Sequence, residues 1–74
     1  MDYETTIYTN IGKNIRKYRL AQGFSQEKLA EMLNANPKFI GHVERYERCI
    51  SLKKLIQLSQ ILKVDLTSLV SAND

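Results

Sequence analysis

The stretch GFSQEKLAEMLNANPKFIGHVER, Gly23 to Arg45, carries two helix starts and two helix stops in close succession. Ser25 is the first start, because its hydroxyl can accept from a backbone N–H of the following turn, and Gln26 and Glu27 suit that turn. Leu29, Ala30 and Leu33 then form the buried stripe of a short helix. Asn34 stops it, as the residue type that most readily takes a left-handed conformation after glycine. Only Ala35 intervenes before Asn36, the second start. Pro37 follows at the first helical position, the one place where its missing N–H costs nothing. The second helix carries Ile40 and Val43 inward and ends near Arg45 or Tyr46.

Two short helices joined by a tight turn have the apolar spacing of a helix-turn-helix. Small Ala30 lets the helices approach, and β-branched Ile40 and Val43 fill the angle between them. The opposite face of the second helix is left free to enter a DNA major groove, about 12 Å wide. Gly41 costs about 1 kcal/mol relative to Ala inside a helix, which points to close approach of DNA or of a neighbouring helix.

On the N-terminal side, Ile11, Ile15 and Tyr18 recur at helical spacing, predicting a helix capped by Thr9 or Asn10 and stopped at Gly23. Residues 1–8 read as a flexible arm. On the C-terminal side, Glu47 to Ile50 reads as a loop and Ser51 starts a fourth helix, with Leu52, Leu55, Ile56, Leu58, Ile61 and Leu62 on a broad face. Lys63 to Asp65 form a turn, and Asp65 caps a last helix through Leu66, Leu69 and Val70. Residues 72–74 read as a frayed end. The expected fold is all-α, one five-helix domain over residues 9–71, with no strand, repeat or low-complexity tract.

The 74 residues include 21 Ile, Leu, Val and Phe, about 28%. That exceeds the roughly 20% typical of disordered chains. A domain of this size buries only about 60% of its unfolded surface and relies on helix packing or a partner subunit. The single Cys49 rules out an internal disulfide, and one Cys with one His cannot complete a zinc site. Neither a signal peptide nor a membrane anchor is expected. All 11 bases lie between Asn10 and Lys63 with only Glu27, Glu31, Glu44 and Glu47, so that span carries +7 of charge. Lys13, Arg16, Lys17 and Arg19 cluster in the first helix and Arg45, Arg48, Lys53 and Lys54 later, as two patches gripping a polyanion or as a solvated surface. His42 is alone, Ser25 reads as a cap, and there is no glycine-rich phosphate loop, so an enzyme, a cofactor, a metal site or a small-molecule substrate is not expected.

The segments Ile11-Gly12-Lys13-Asn14-Ile15-Arg16, Gly23 to Ala30 and Ile40 to Arg45, extended by Ile50-Ser51-Leu52, Leu62, Val64 and Leu66 to Leu69, resemble the Cro and phage-repressor type of helix-turn-helix protein, the xenobiotic-response-element family. The resemblance covers about four fifths of the chain. It implies five helices, binding to double-stranded operator DNA, usually as a dimer on a palindrome, and transcriptional regulation in the cytoplasm of a bacterium or by a phage. It further implies that Gln26 touches a phosphate and braces the recognition helix, that Asn36 caps and contacts phosphate, and that Lys38 and His42, on one face at i and i+4, read base edges.

Pro37 stands where the family often has a hydrogen-bonding residue and offers only apolar contact, as to a thymine methyl. Phe39 fits either such a contact or helix packing. Tyr46 replaces a common glycine and offers a phenol to phosphate. Arg45 and Arg48 read as phosphate clamps or solvated charges, and Arg19 with Glu44 as a structural bridge between the first and third helices. A homodimer seam is expected on the C-terminal helices from Ile56, Ile61, Leu69 and Val70. The competing reading is a protein-interaction or antitoxin-like adaptor that keeps the fold without reading DNA.

Overall fold

The computed structural model describes residues 2–72, and among them five helices and no strand are found. They are α1 (Tyr3–Ala21), α2 (Gln26–Met32), α3 (Phe39–Glu44), α4 (Leu52–Leu62) and α5 (Leu66–Val70). The expected all-α, five-helix architecture is the observed one.

The first helix starts earlier than the periodicity predicts. Asp2, not Thr9 or Asn10, is its cap, with Oδ1 accepting from the Thr5 N–H at 2.7 Å. Residues 3–8 are thus helix rather than a flexible arm. The stripe of Ile11 and Ile15 extends one turn back to Ile7, which with Tyr8 packs against the core. Of the expected frayed C-terminus, residues 73 and 74 lie outside the described residues, and Ala72 is exposed and non-helical.

Helices α2 and α4 start as the sequence predicts, on the hydroxyls of Ser25 and Ser51, which accept from Lys28 N and Lys54 N. Asp65 occupies the cap position of α5, but its carboxylate makes no capping bond; its carbonyl takes the Ser68 N–H instead. Asn36 and Pro37 open α3 through a tightened turn. Asn36 Oδ1 accepts from Lys38 N and its carbonyl from Phe39 N, so regular α-helix begins only at Phe39.

Each of the first four helices ends in the same device, a left-handed residue that turns two N–H groups back onto the last carbonyls. The left-handed residues are Gly23, Asn34, Tyr46 and Lys63. The returning bonds from the residues after them are Phe24 N to Arg19 O, Ala35 N to Ala30 O, Glu47 N to His42 O and Val64 N to Ser59 O.

The core joins Ile11 and Ile15 of α1, Leu29 and Ala30 of α2, Phe39, Ile40 and Val43 of α3, Leu55, Leu58 and Leu62 of α4 and Leu69 of α5, all buried. Side-chain amides on α1 and at its C-cap hold the helix to the C-terminal half. Buried Asn14 donates through Nδ2 to the carbonyls of Leu69 and Ser71, each at 2.9 Å, and Gln22 Nε2 donates to Leu62 O at 3.1 Å. Leu69 is fully buried, so it belongs to this core and not to an outer seam. The outer face of α4 is different: Leu52 is 65% exposed and Ile56 42%.

Candidate nucleic-acid interface

The site is built around Glu44, near the end of α3. Its carboxylate is buried, and Arg19 of α1 reaches it with Nε to Oε2 at 2.7 Å and Nη2 to Oε1 at 3.1 Å. The guanidinium also donates to Phe24 O at 2.9 Å. Gln26, first residue of α2, donates from Nε2 to Glu44 Oε1 at 2.9 Å. One carboxylate therefore ties α1, α2 and α3 together, with no buried side-chain N or O left unpaired among the described residues. The bridge between Arg19 and Glu44 and the bracing by Gln26 stand as expected.

Gly41 explains itself in this setting. A Cβ there would come within 3.1 Å of Gln26 Oε1 and 3.0 Å of Arg45 Nη1, so the close approach is that of neighbouring side chains. Gly12 is the counterpart on α1. A Cβ on it would lie 2.8 Å from the Val43 carbonyl oxygen and 2.9 Å from the Tyr46 ring, so α3 crosses α1 only because that position is glycine.

Above the network lies a cleft of about 580 Å³ lined by Arg16 and Arg19, by Ser25, Gln26 and Glu27, and by Pro37, Lys38, Gly41 and Arg45. Four of the sequence-predicted residues, Gln26, Pro37, Lys38 and Arg45, thus meet at one place. Arg16 joins them, a residue that the motif reading left in a general basic patch. Its side chain is largely exposed, with Nη1 4.0 Å from Glu44 Oε1. The sequence places Arg16 three residues before Arg19 on the same helical face, but only the packing of α2 and α3 against α1 brings it to the cleft. Asn36 is exposed at the cleft's edge in sequence, bonded to Lys38 N.

His42 lies half-buried one turn beyond Lys38, with Nδ1 2.8 Å from Glu47 Oε1. Arg45 shares that oxygen, through Nη2 at 3.3 Å. These contacts, His42's first and then Arg45's, hold the Glu47 carboxyl below its ordinary range. Glu47 had no assigned part in the sequence reading.

Two expected contact residues are elsewhere. Phe39 is 6% exposed and forms part of the core, because the start of α3 turns its ring inward; Arg48 and Lys54 lie over that ring, their charged groups 5.5 and 5.8 Å from its centroid. Phe39 is therefore a packing residue, and Arg48 is exposed beside it. Tyr46, half-exposed, stacks its ring on Gly12 and lines a separate depression with Tyr8 and Cys49. As the left-handed residue after α3, it is used to turn the chain. Among the described residues no His, Cys, Asp and Glu group could hold a metal, and no helix is long and apolar enough to cross a membrane.

A buried brace beneath a short second helix flanked by the exposed cations Lys38 and Arg45 is the arrangement of a helix-turn-helix protein, and the chain belongs to that family: the helix-turn-helix family profile matches residues 15–69. It is similar to the control protein C.SmaI of Serratia marcescens, 38% identical over 61 residues that make up 82% of this chain and 73% of that one. It is also similar to the HTH-type transcriptional regulator RamB of Mycobacterium tuberculosis, 32% identical over 66 residues. That match takes in 89% of this chain but only 14% of RamB's length. Among solved structures, the restriction-modification controller protein C.AhdI from Aeromonas hydrophila superposes with a TM-score of 0.77 at 32% identity, over 84% of this chain and 94% of that one.

Proposed function

We propose that the chain is a sequence-specific DNA-binding transcriptional regulator of controller or repressor type, acting in the cytoplasm of a bacterium or a phage-infected cell. It binds a short palindromic operator as a homodimer. The observation that carries this reading is the convergence of Arg16, Lys38 and Arg45 on one cleft floored by Gln26, beside the outward face of α3. Three cations around an amide suit a phosphate, and the adjoining helix suits the major groove. Arg16, Gln26, Asn36, Arg45 and Arg48 take the backbone. Lys38 and His42 read base edges, and Pro37 offers a surface to a thymine methyl. The likeness to proteins named as transcriptional regulators and control proteins points the same way.

The dimer seam lies on the exposed edge of α4, where Leu52 and Ile56 face out, with half-buried Val70 beside Leu52; Ile61, half-buried, lies on another face of the helix. Apolar side chains grouped on one outer face favour self-association.

Selection from a pool of random duplexes, followed by anisotropy titration at several salt concentrations, tests the reading. Enrichment of an inverted repeat, with affinity falling steeply as salt rises, is the expected result. Equal, weak binding to every duplex would refute sequence-specific regulation and favour the adaptor reading.

A further inference from the structure

We propose that Glu47 is a specificity-determining positioning residue: it locks His42 in a single tautomer and so decides which class of base the recognition helix reads. The proposal rests on the DNA-binding reading above.

Two contacts from one residue converge on His42. The left-handed Tyr46 folds the chain back, so that Glu47 N donates to the His42 carbonyl at 2.8 Å while Glu47 Oε1 meets His42 Nδ1, also at 2.8 Å. An ionised carboxylate can only accept, so the ring must carry its proton on Nδ1. Arg45, bonded to the same Oε1, keeps that carboxylate charged and in place. Nε2 is then the ring nitrogen left for a ligand.

In the neutral ring that nitrogen is a lone pair. It pairs with the exocyclic amine of adenine or cytosine in the major groove, and it repels guanine N7 and O6 and thymine O4, which are acceptors themselves. The other tautomer would present an N–H and reverse the preference. A carboxylate that need not touch DNA thus sets the sign of the hydrogen bond that His42 offers.

The test uses the full chain at pH 8.5, above the ordinary imidazole range of about 6.5. Long-range proton–nitrogen NMR of the His42 ring is recorded for the wild type, Glu47→Ala and Glu47→Gln. Each is also titrated against the selected operator and variants at the base pair where His42→Ala loses discrimination. The wild type is expected to show Nδ1–H and roughly tenfold preference for the amine-bearing base. Glu47→Ala is expected to lose the tautomer and most of that preference. Glu47→Gln, whose amide can donate to Nδ1 as well as accept from it, no longer dictates the tautomer and is expected to lose part of the preference, although both variants shed a negative charge and bind all duplexes more tightly.

An Nε2–H tautomer in the wild type, or undiminished preference in Glu47→Ala, would overturn the proposal. Nδ1–H in a wild-type protein that selects no sequence would retire the DNA reading and this role with it, while the ring geometry stood; the two failures are thereby separable. An unchanged backbone amide spectrum shows that Glu47→Ala, on an exposed loop, remains folded.

Discussion

At the scale of single residues, the most consequential group is a carboxylate that never needs to meet DNA. Glu44 satisfies Arg19 and Gln26 together, and removing it leaves a guanidinium buried without its counter-charge. Glu44→Ala is expected to cost about 3–5 kcal/mol, close to the whole stability of so small a domain, as read by urea unfolding. Replacing both partners with apolar residues of similar size should recover much of that loss. On the exposed side, Lys38 and Arg16 line one cleft, and the proposed function gives them different parts. Lys38→Ala is expected to relax preference at particular base pairs, by about 1–3 kcal/mol. Arg16→Ala should weaken all duplexes alike and lower the slope of log affinity against log salt by about 1. Competition titrations across operator variants separate the two, and an equal loss on every duplex for Lys38→Ala would remove its reading role.

At the scale of elements, starts and stops were legible wherever they depend on neighbours in the chain. Ser25, Ser51, Asn34 and Gly23 act as their residue types suggest, because a cap or a left-handed turn closes within three to five residues. The first helix shows where such reading fell short. Its earlier start was written in Asp2 and in Ile7, four residues before Ile11, but Thr9 and Asn10 were also good caps and only packing of Ile7 decided between them.

That cap makes a pH prediction. The Thr5 N–H holds the Asp2 pKa below its ordinary 3.8, so the folded value is depressed. The capping contribution is therefore present above that ordinary value and is lost as pH falls through the folded one. Protection of the Thr5 amide, taken against the intrinsic exchange rate at each pH, should fall over that acid range, and in Asp2→Asn the step should vanish. The crossing of α1 and α3 gives a further expectation: Gly12→Ala drives a methyl against the Val43 carbonyl oxygen and the Tyr46 ring, costing about 1–3 kcal/mol in thermal unfolding.

At the scale of the whole molecule, the apolar residues of the last two helices divide in a way that their spacing did not announce. Leu69 points into the core, where Asn14 grips its carbonyl, whereas Leu52 and Ile56 face outward. Ile56→Glu is accordingly expected to leave the fold intact, to give a monomer by sedimentation at tens of micromolar, and to weaken operator binding sharply. A variant that remained dimeric would move the seam away from α4. Leu69→Ala should instead lower stability by about 2–5 kcal/mol without such a selective effect.

By itself the sequence determined five helices, their stops, the caps of α2 and α4, and the tight turn between α2 and α3, because these follow from hydrogen bonds and periodicity within a few residues. The start of α1, the first turn of α3 and the Asp65 cap came out differently. The pairing of Arg19 with Glu44 and the bracing by Gln26 were legible only through family resemblance, since no local pattern links residues 25 positions apart. Tertiary structure alone decided that Phe39 fills the core, that Arg16 joins the cleft and Tyr46 leaves it, that Leu69 is inside and Ile56 outside, and that Glu47 grips His42. Each of those outcomes depends on how helices cross and where a loop folds back, and a helical period that marks an apolar face does not say which part of that face another helix will cover.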